Sequence, residues 1–396
     1  MLMKGNDKMK IAMIGHKRVP SREGGVEIVV EELSTRMVKN GHEVDIYNRS
    51  GCDIMNNEKK YKQYKRYKGC KLITIPTVKW KKLNAIVYSL NATLRAAVGR
   101  YDVIHYHAEG PCATLPIAKL LGIKTVATIH GLDWQRSKWG GFATKFLKFG
   151  EKMAAKYADD IVVLSKNVQL YFLKTYNRET TYIPNGINKP KYENDKIINN
   201  KYGIEKDEYI LYLARIVPEK GLHYLVEAYN HLITDKKLVI AGGSSHTDEY
   251  FEKIKNMASN NSNIIMTGFV DGKLLDSLYN NAYIYVLPSD IEGMPISLLE
   301  AMSYNNCCLT SDIPEMKEVI EENGITFEKS NITDLKNKIQ FLCDNKDIVD
   351  AYRKEASDFI INKYNWDKIV DNTLNQYMKV IGYSQIEKSN IEIVEN

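Results

Sequence analysis

Short runs of apolar and β-branched residues recur along this chain, separated by longer stretches with apolar residues at helical spacing. In the first half, strand-like runs occupy residues 10–15, 43–47, 71–75, 102–106, 124–129 and 160–164. After a polar, charged segment at 189–203 the alternation begins again, with runs at 209–214, 238–243, 264–270, 284–287, 307–310 and 324–327. Strands that alternate with helices form parallel sheets whose crossovers are helical. The pattern therefore predicts an α/β protein with a doubly wound parallel sheet in each half.

The length of 396 residues also favours two domains, because single hydrophobic cores stop growing at about 250–300 residues. We place a first domain at residues 1–190 and a second at 191–365. Apolar residues at helical spacing predict a last helix at about 366–382, and we expect it to cross back and cover the first domain. The tail at 383–396 is polar.

Composition is that of a soluble globular protein, with 44% apolar and 26% charged residues. A net charge of +6 suits anionic ligands and is too small to indicate a nucleic-acid-binding protein. The six cysteines form no C-x-x-C pair or zinc-type cluster, so we expect reduced thiols and a cytoplasmic protein. The N-terminus lacks the apolar core of a signal peptide, and we expect no membrane-spanning helix.

Residues 59–71 form a basic run, KKYKQYKRYKGCK, in which tyrosines alternate with lysines and arginine. Three interpretations remain open for it. A solvated loop is the commonest outcome for a charge run, and peripheral contact with the anionic inner face of the plasma membrane is the second. Nucleic-acid binding is the third and weakest, because no recognition fold accompanies the run.

The most informative stretch in the second half is IYVLPSDIEGMPISLLEAM, residues 284–302. A buried strand ends there in a loop that carries Glu292 and Gly293, and a helix from about residue 296 carries Glu300. Both carboxylates can face the crevice at the carboxyl edge of a parallel sheet, where α/β proteins bind ligands. The alternative is an ordinary strand-to-helix loop with solvated acids.

Two cations follow the first strand of the second half. Arg215 and Lys220 lie in the loop before a helix N-terminus, which is the arrangement expected of a diphosphate clamp. The next strand ends at Gly242, where backbone can approach a ligand closely. The sequence thus predicts an anion-binding edge in this domain.

A glycine-rich loop follows the first strand of the chain. Gly24 and Gly25 precede a helix whose N-terminus can meet a phosphate or hydroxyl, although the G-x-G-x-x-G spacing of nicotinamide sites is missing and the glycines can also serve a tight turn only. Lys17, Arg18 and Arg22 lie in the same loop.

A second candidate group follows the fifth strand. His130 stands just past the strand end, which is a functional position, although single histidines are more often structural. Trp134 and Arg136 can stack on a sugar ring and bind phosphate, or can simply begin a helix with core aromatics.

Taken together, six segments resemble the family-4 glycosyltransferases in order and spacing: HKRVPSREGGVE, IHGLDW, IPNGI, ARIVPEKG, GFV and DIEGMPISLLEAM. The resemblance covers residues 10–381 and is greatest to bacterial rhamnosyltransferases and related enzymes of capsule, O-antigen and exopolysaccharide synthesis. It implies the GT-B fold, in which two Rossmann-like domains face each other across a cleft. It also implies a retaining, metal-independent transfer from a nucleoside diphosphate sugar, with no cofactor, to a glycan or lipid-linked glycan.

The resemblance assigns roles to residues of this chain. It implies that Arg215 and Lys220 hold the diphosphate, that Glu292 holds hydroxyls of the transferred sugar, and that His130 lies near the reacting carbon. The implied donor-binding set is Gly24, Gly25, Arg215, Lys220, Gly242, Phe269, Val270, Glu292, Gly293, Met294, Pro295, Ile296 and Glu300. The implied acceptor-binding set is Lys17, Arg18, Arg22, Trp134 and Arg136.

One departure bears on specificity, because Met294 stands where the family commonly has an aromatic residue. The base, the sugar and the acceptor stay open. Two other functions remain as alternatives: a sugar-nucleotide epimerase or phosphorylase-like enzyme of the same fold, and a non-catalytic protein that binds sugar nucleotides.

Overall fold

The structure is a computed structural model that describes residues 8–50, 65–78, 80–136, 141–192, 196–244 and 248–382. Residues 59–64 of the basic run and the tail at 383–396 lie outside the described residues. The chain divides into two compact units. Unit 1 comprises Met1–Gln135, Trp139–Asn185 and Trp366–Asn396, and unit 2 comprises Arg136–Lys138 and Gly186–Asn365. The division thus falls after Asn185, slightly before the predicted position, and the chain returns to unit 1 at Trp366.

In the described part of unit 1, eight strands form one sheet in the order β3-β4-β2-β1-β5-β6-β7-β8. All neighbours are parallel except β3 and β4 at the edge. The strands are β1 Lys10–Ile14, β2 Glu43–Arg49, β3 Arg66–Tyr67, β4 Cys70–Ile75, β5 Val103–His107, β6 Thr125–Ile129, β7 Asp160–Val163 and β8 Thr181–Tyr182. The sequence does not predict β3 or β8, because two residues are too few to show a pattern.

The helices in the described part of unit 1 cover both faces of this sheet. They are α1 Gly25–Lys39, α2 Lys81–Ala97, α3 Glu109–Cys112, α4 Leu115–Leu120, α5 Gly141–Tyr157, α6 Lys166–Tyr176 and, from the end of the chain, α15 Trp366–Ile381. The last helix packs against α1 and β6, as expected from its apolar spacing. Trp366, Ile369, Leu374 and Tyr377 are buried there.

In the described part of unit 2, six parallel strands form a sheet in the order β11-β10-β9-β12-β13-β14. They are β9 Tyr209–Leu213, β10 Lys237–Ala241, β11 Ile264–Gly268, β12 Ile284–Leu287, β13 Cys307–Ser311 and β14 Ile325–Phe327. The helices are α7 Lys196–Tyr202, α8 Leu222–Tyr229, α9 Asp248–Ser259, α10 Gly272–Asn281, α11 Ile296–Ser303, α12 Pro314–Ile320, α13 Ile332–Asp344 and α14 Lys346–Lys363.

Each sheet has a switch point where the strand order reverses. In unit 1 it lies between β1 and β5, and in unit 2 between β9 and β12. Parallel α/β sheets bind ligands in the crevice at the carboxyl ends of the strands at this point. The loops after these four strands therefore define where a site can form in each unit. Among the described residues, no helix is long and apolar enough to cross a bilayer.

Candidate active site

The loops after β9 and β12 meet at the switch point of unit 2. The backbone N–H of Asp290 donates a hydrogen bond of 2.9 Å to the carbonyl of Glu219. Gly221 lies so close to the other loop that a Cβ there would stand 1.9 Å from the carbonyl oxygen of Pro288. The two loops are thus fixed to each other through their backbones, and this contact positions the side chains that follow.

Lys220 and Glu292 form an ion pair across this contact. The Lys220 Nζ donates a hydrogen bond to Glu292 Oε1, and the two side chains are only 11% and 7% exposed. The Ser289 hydroxyl donates to the same carboxylate oxygen at 2.7 Å. The sequence predicts both charged residues but not Ser289. The only sequence signal for Ser289 is its position two residues after the end of β12.

The electrostatics of the pair depend on burial. Burial lowers the pKa of Lys220, and the Glu292 carboxylate opposes that shift. The positive charge of Arg215, which is half-buried in the same loop, adds to the lowering of the Lys220 pKa. Two cations and one carboxylate therefore share this edge of the sheet, where a diphosphate would find fixed positive charge.

Glu300 lies in the second turn of α11, and its carboxylate accepts a hydrogen bond of 3.1 Å from the Tyr279 hydroxyl. Burial raises the pKa of the nearby Tyr285 phenol, and the carboxylates of both Glu292 and Glu300 add to the rise. The two carboxylates therefore both act on the phenol of Tyr285, which lies within β12. The sequence does not predict Tyr279 as part of the site, because its contact with Glu300 depends on packing between two helices.

The segment between these carboxylates is well packed. Gly293, Met294, Pro295 and Ile296 are all buried. No side chain caps the N-terminus of α11 at Pro295, so the first N–H groups of the helix retain donor capacity for a ligand.

The other donor-site candidates of unit 2 lie at the ends of β10 and β11. A Cβ on Gly242 would stand 1.9 Å from the carbonyl oxygen of Ala214, so the close backbone approach found here is to the β9 loop. Phe269 and Val270 directly follow β11, the first partly exposed and the second buried.

We expect Gly221→Ala to lower the stability of unit 2 by about 1–3 kcal/mol. Gly221 has a φ of +65°, and a methyl group there would collide with the Pro288 carbonyl. Gly203→Ala is the matched control, because Gly203 has a φ of +62° with nothing within 4 Å of the added Cβ. Hydrogen exchange of unit 2 peptides in increasing urea measures the loss of stability in both variants. Equal losses would show that the loop contact contributes nothing beyond backbone strain.

In unit 1 the glycine-rich loop leads from β1 into α1. Gly24 is the N-cap residue, Gly25 begins the helix, and the Glu27 carboxylate turns back to accept the N–H of Lys17 at 2.9 Å. Lys17 and Arg18 are half-buried and Arg22 is exposed. The loop is thus organised by a carboxylate of its own helix.

Histidines gather at the switch point of the same sheet. His107 Nδ1 lies 3.1 Å from His130 Nε2, and the rings of His105 and His107 lie 4.1 Å apart. Burial lowers the pKa of His107 well below its ordinary value and that of His16 to about 4. His130 thus has a buried imidazole partner that holds its ring. The spacing His-x-His in β5 was the available signal for this partner.

Trp134 is held within unit 1. Its indole N–H donates to Glu151 at 2.9 Å, and the Lys148 Nζ lies 4.1 Å from its ring centroid. These contacts favour the interpretation that Trp134 is a packed aromatic residue. They do not favour the alternative that Trp134 stacks on a sugar ring. Arg136 belongs to unit 2, whereas the sequence places it in the first domain.

The chain matches one protein family in its first half and another in its second half. Residues 23–189 match the family described as Glycosyltransferase Family 4, and residues 194–366 match Glycosyl transferases group 1. An uncharacterized glycosyltransferase of Methanocaldococcus jannaschii is 26% identical over 93% of this chain and 98% of its own length. An Escherichia coli UDP-Gal:alpha-D-GlcNAc-diphosphoundecaprenol alpha-1,3-galactosyltransferase is 24% identical over 71% of this chain and 76% of its own.

Among solved structures, sucrose-phosphate synthase from Thermosynechococcus elongatus superimposes with a TM-score of 0.82 at 20% identity, covering 95% of this chain and all of that one. The two matched families together include every described strand of both sheets except β1. The chain is therefore a glycosyltransferase of the GT-B fold, with a Glycosyltransferase Family 4 domain followed by a Glycosyl transferases group 1 domain.

Proposed function

We propose that this glycosyltransferase moves a hexose or deoxyhexose, such as a rhamnose-type sugar, from a nucleoside diphosphate sugar to a glycan or lipid-linked glycan acceptor. The reaction would retain the anomeric configuration, need no metal and serve cell-surface polysaccharide synthesis at the cytoplasmic membrane face. The observation that carries the donor class is the buried Lys220–Glu292 pair beside Arg215 at the switch point of unit 2.

In this proposal Arg215 and Lys220 bind the diphosphate and stabilise the negative charge that develops on it as the sugar leaves. Preorganised cations in a water-poor site do this without reorganisation at the moment of reaction. Glu292 would exchange its contact with Lys220 for hydroxyls of the transferred sugar, and Glu300 would accept hydrogen bonds from the ribose. The donor phosphate would take the acceptor proton on the face from which it departs.

The acceptor class is supported by the Escherichia coli relative, whose name describes transfer to a sugar on diphosphoundecaprenol. Metal independence is proposed because Arg215 and Lys220 place fixed positive charge at the switch point of unit 2. Fixed cations would take over the neutralising role that a metal serves in other transferases.

A donor panel tests the proposal. We expect one of the UDP-, dTDP- or GDP-sugars to raise the melting temperature and to transfer its sugar to a lipid-linked acceptor in EDTA, with the anomeric configuration retained in the product by NMR. A ligand bound only by the folded state raises stability, by about 2.7 kcal/mol at a hundredfold excess over Kd. Inversion would contradict the retaining mechanism, and dependence on added Mg²⁺ would contradict metal independence. Epimerisation or hydrolysis without an acceptor would favour the alternative enzyme class.

A further inference from the structure

One face of unit 1 carries an unusual amount of exposed apolar surface. α2, α4 and α5 pack side by side, and all three belong to crossovers that run in the same direction across the sheet. Because such crossovers are right-handed, these helices lie on one face of the sheet and their outer surfaces point the same way. We call the outer surfaces of α2, α4 and α5 the α2–α5 face.

The outer side of α2 is apolar along its whole length. Residues at heptad-like spacing form this stripe: Trp80, Leu83, Val87, Leu90, Leu94 and Val98. Trp80 is 74% exposed and Val98 69%, whereas Tyr88, Ala92 and Ala96 on the inner side are buried in the core. A helix at the surface of a globular protein normally presents polar residues outward. This helix therefore has a second apolar face that the described part of unit 1 leaves exposed.

The neighbouring helices extend the same surface. Leu120 and Leu121 are exposed at the end of α4, and Phe142 and Phe149 are exposed on α5. Within the described part of unit 1, every exposed large apolar side chain lies on or beside α2, α4, α5 or the adjacent α6, and none lies on α1 or α15. Clustering of this kind marks a binding surface, whereas scattered exposed apolar residues do not.

Charge indicates what binds there. α2 has no carboxylate in its sequence, and the single acid of α5, Glu151, is fully buried. Lys145, Lys148, Lys152 and Lys156 of α5 are all exposed. Apolar residues bordered by cations match an anionic phospholipid surface.

The described end of the basic run is engaged elsewhere. Lys68 pairs with Glu31 of α1 at 3.0 Å, and Tyr67 donates to the same carboxylate at 2.8 Å. Lys71 lies 3.9 Å from Asp45 of β2. These contacts join the edge strands to α1 and β2 of the same unit. The lysines at this end of the run are therefore paired with carboxylates, and they are poorer candidates for binding lipid phosphates than the lysines of α5.

We propose that the α2–α5 face is a membrane-binding surface that lies on an anionic phospholipid bilayer. Trp80 and the leucines of α2 would enter the headgroup region, while the lysines of α5 contact the lipid phosphates. A second copy of the chain is the poorer occupant, because two such cationic faces repel each other. The inference extends the proposed function, since a membrane-bound enzyme reaches a lipid-linked acceptor by diffusion in two dimensions.

Vesicle sedimentation of the full chain tests the proposal without donor or acceptor. We expect binding to vesicles of phosphatidylcholine mixed with phosphatidylglycerol, little binding to phosphatidylcholine alone, and loss of binding at high salt. Lys145→Gln/Lys152→Gln should weaken binding by about fivefold per lysine. Leu94→Ser/Phe149→Ser should weaken it at least as much.

Two double variants in unit 2 serve as matched controls: Lys206→Gln/Lys253→Gln and Ile233→Ser/Phe341→Ser. They change exposed cationic and apolar residues as the face variants do, and we expect them to bind vesicles as wild type does. The proposal would be overturned if the face variants bound anionic vesicles as wild type does, or if the wild-type protein did not bind them. A wild type that dimerises in solution through this face, with monomeric face variants, would assign the surface to a second copy instead. Thermal shift by the donor, measured on the same variants, reports separately on the proposed function.

Discussion

Lys220→Met and Glu292→Gln are each expected to lower the free energy of unfolding of unit 2 by about 3–5 kcal/mol, and the double variant by much less than the sum. Each single change leaves one member of a buried ion pair without its partner. Lys220 would lose the carboxylate that opposes the effect of burial on its pKa, and Glu292 would lose its cation and keep the hydrogen bond from the Ser289 hydroxyl. Replacing both charges by side chains of similar volume removes both desolvation costs together.

The same three variants separate stability from chemistry. If the pair serves the donor diphosphate and sugar, the double variant recovers stability but not activity, and kcat/KM stays about 10²–10³-fold below wild type. Hydrogen exchange of unit 2 peptides in urea measures the first quantity, and transfer from the labelled donor measures the second. An active double variant would show that the pair is purely structural.

The Lys363–Glu321 pair of unit 2 is the matched control. Its atoms lie 2.6 Å apart, but the side chains are 28% and 53% exposed. Surface pairs of this kind contribute about 0–1 kcal/mol, so we expect its double-mutant cycle to show weak coupling. A coupling as large as that of Lys220 and Glu292 would mean that burial does not set the strength of the pair.

Parts of the fold follow from local sequence alone. The strand at 284–287 and the helix at 366–381 agree with the predicted bounds, because a continuous apolar run and a long helical period are both unambiguous. Strand β3 does not follow from sequence, because it is a two-residue antiparallel edge held by the contacts of Tyr67 and Lys68 with Glu31. Such a strand depends on its neighbours more than on its own residues.

The candidate site shows the same limit. Lys220 and Glu292 can be inferred because each occupies a loop after a strand, and the fold brings those loops together. Ser289 and Tyr279 cannot be inferred in this way. Ser289 is oriented by a hydrogen bond from the Ser311 hydroxyl to its carbonyl, and Ser311 lies on the next strand. Tyr279 reaches Glu300 from a different helix. These contacts depend on packing between elements distant in sequence.

The stability of unit 1 is expected to fall steeply as the pH drops from about 6.5 towards 4, because buried histidines must accept protons when the unit unfolds. Burial lowers the pKa of His105 to about 3 and that of His16 to about 4. In the unfolded chain these imidazoles have ordinary pKa values near 6.5. Between the two values the unfolded state binds more protons, so stability rises with pH and is fully present only above about pH 6.5.

The size of this effect follows from the number of buried histidines. Each one contributes a slope of up to about 1.4 kcal/mol per pH unit, and a shift of the size found for His16 amounts to roughly 3 kcal/mol. His105 also joins the last helix to the sheet, since its Nδ1 lies 2.6 Å from the Tyr377 hydroxyl and its Nε2 lies 2.7 Å from Thr128 Oγ1. Acid should therefore release α15 from unit 1 early in unfolding.

Tryptophan fluorescence follows this transition selectively, because Trp80, Trp134 and Trp366 belong to unit 1 and the sequence of unit 2 has no tryptophan. In urea titrations between pH 7 and 4, we expect His105→Gln to reduce the slope of the free energy of unfolding against pH. The reduction should be about the contribution of one histidine, up to about 1.4 kcal/mol per pH unit. Tyr377→Phe removes the hydrogen bond but keeps the imidazole, so it should cost about 1 kcal/mol at every pH and keep the wild-type slope. A wild-type slope in His105→Gln would rule out this imidazole as a source of acid sensitivity.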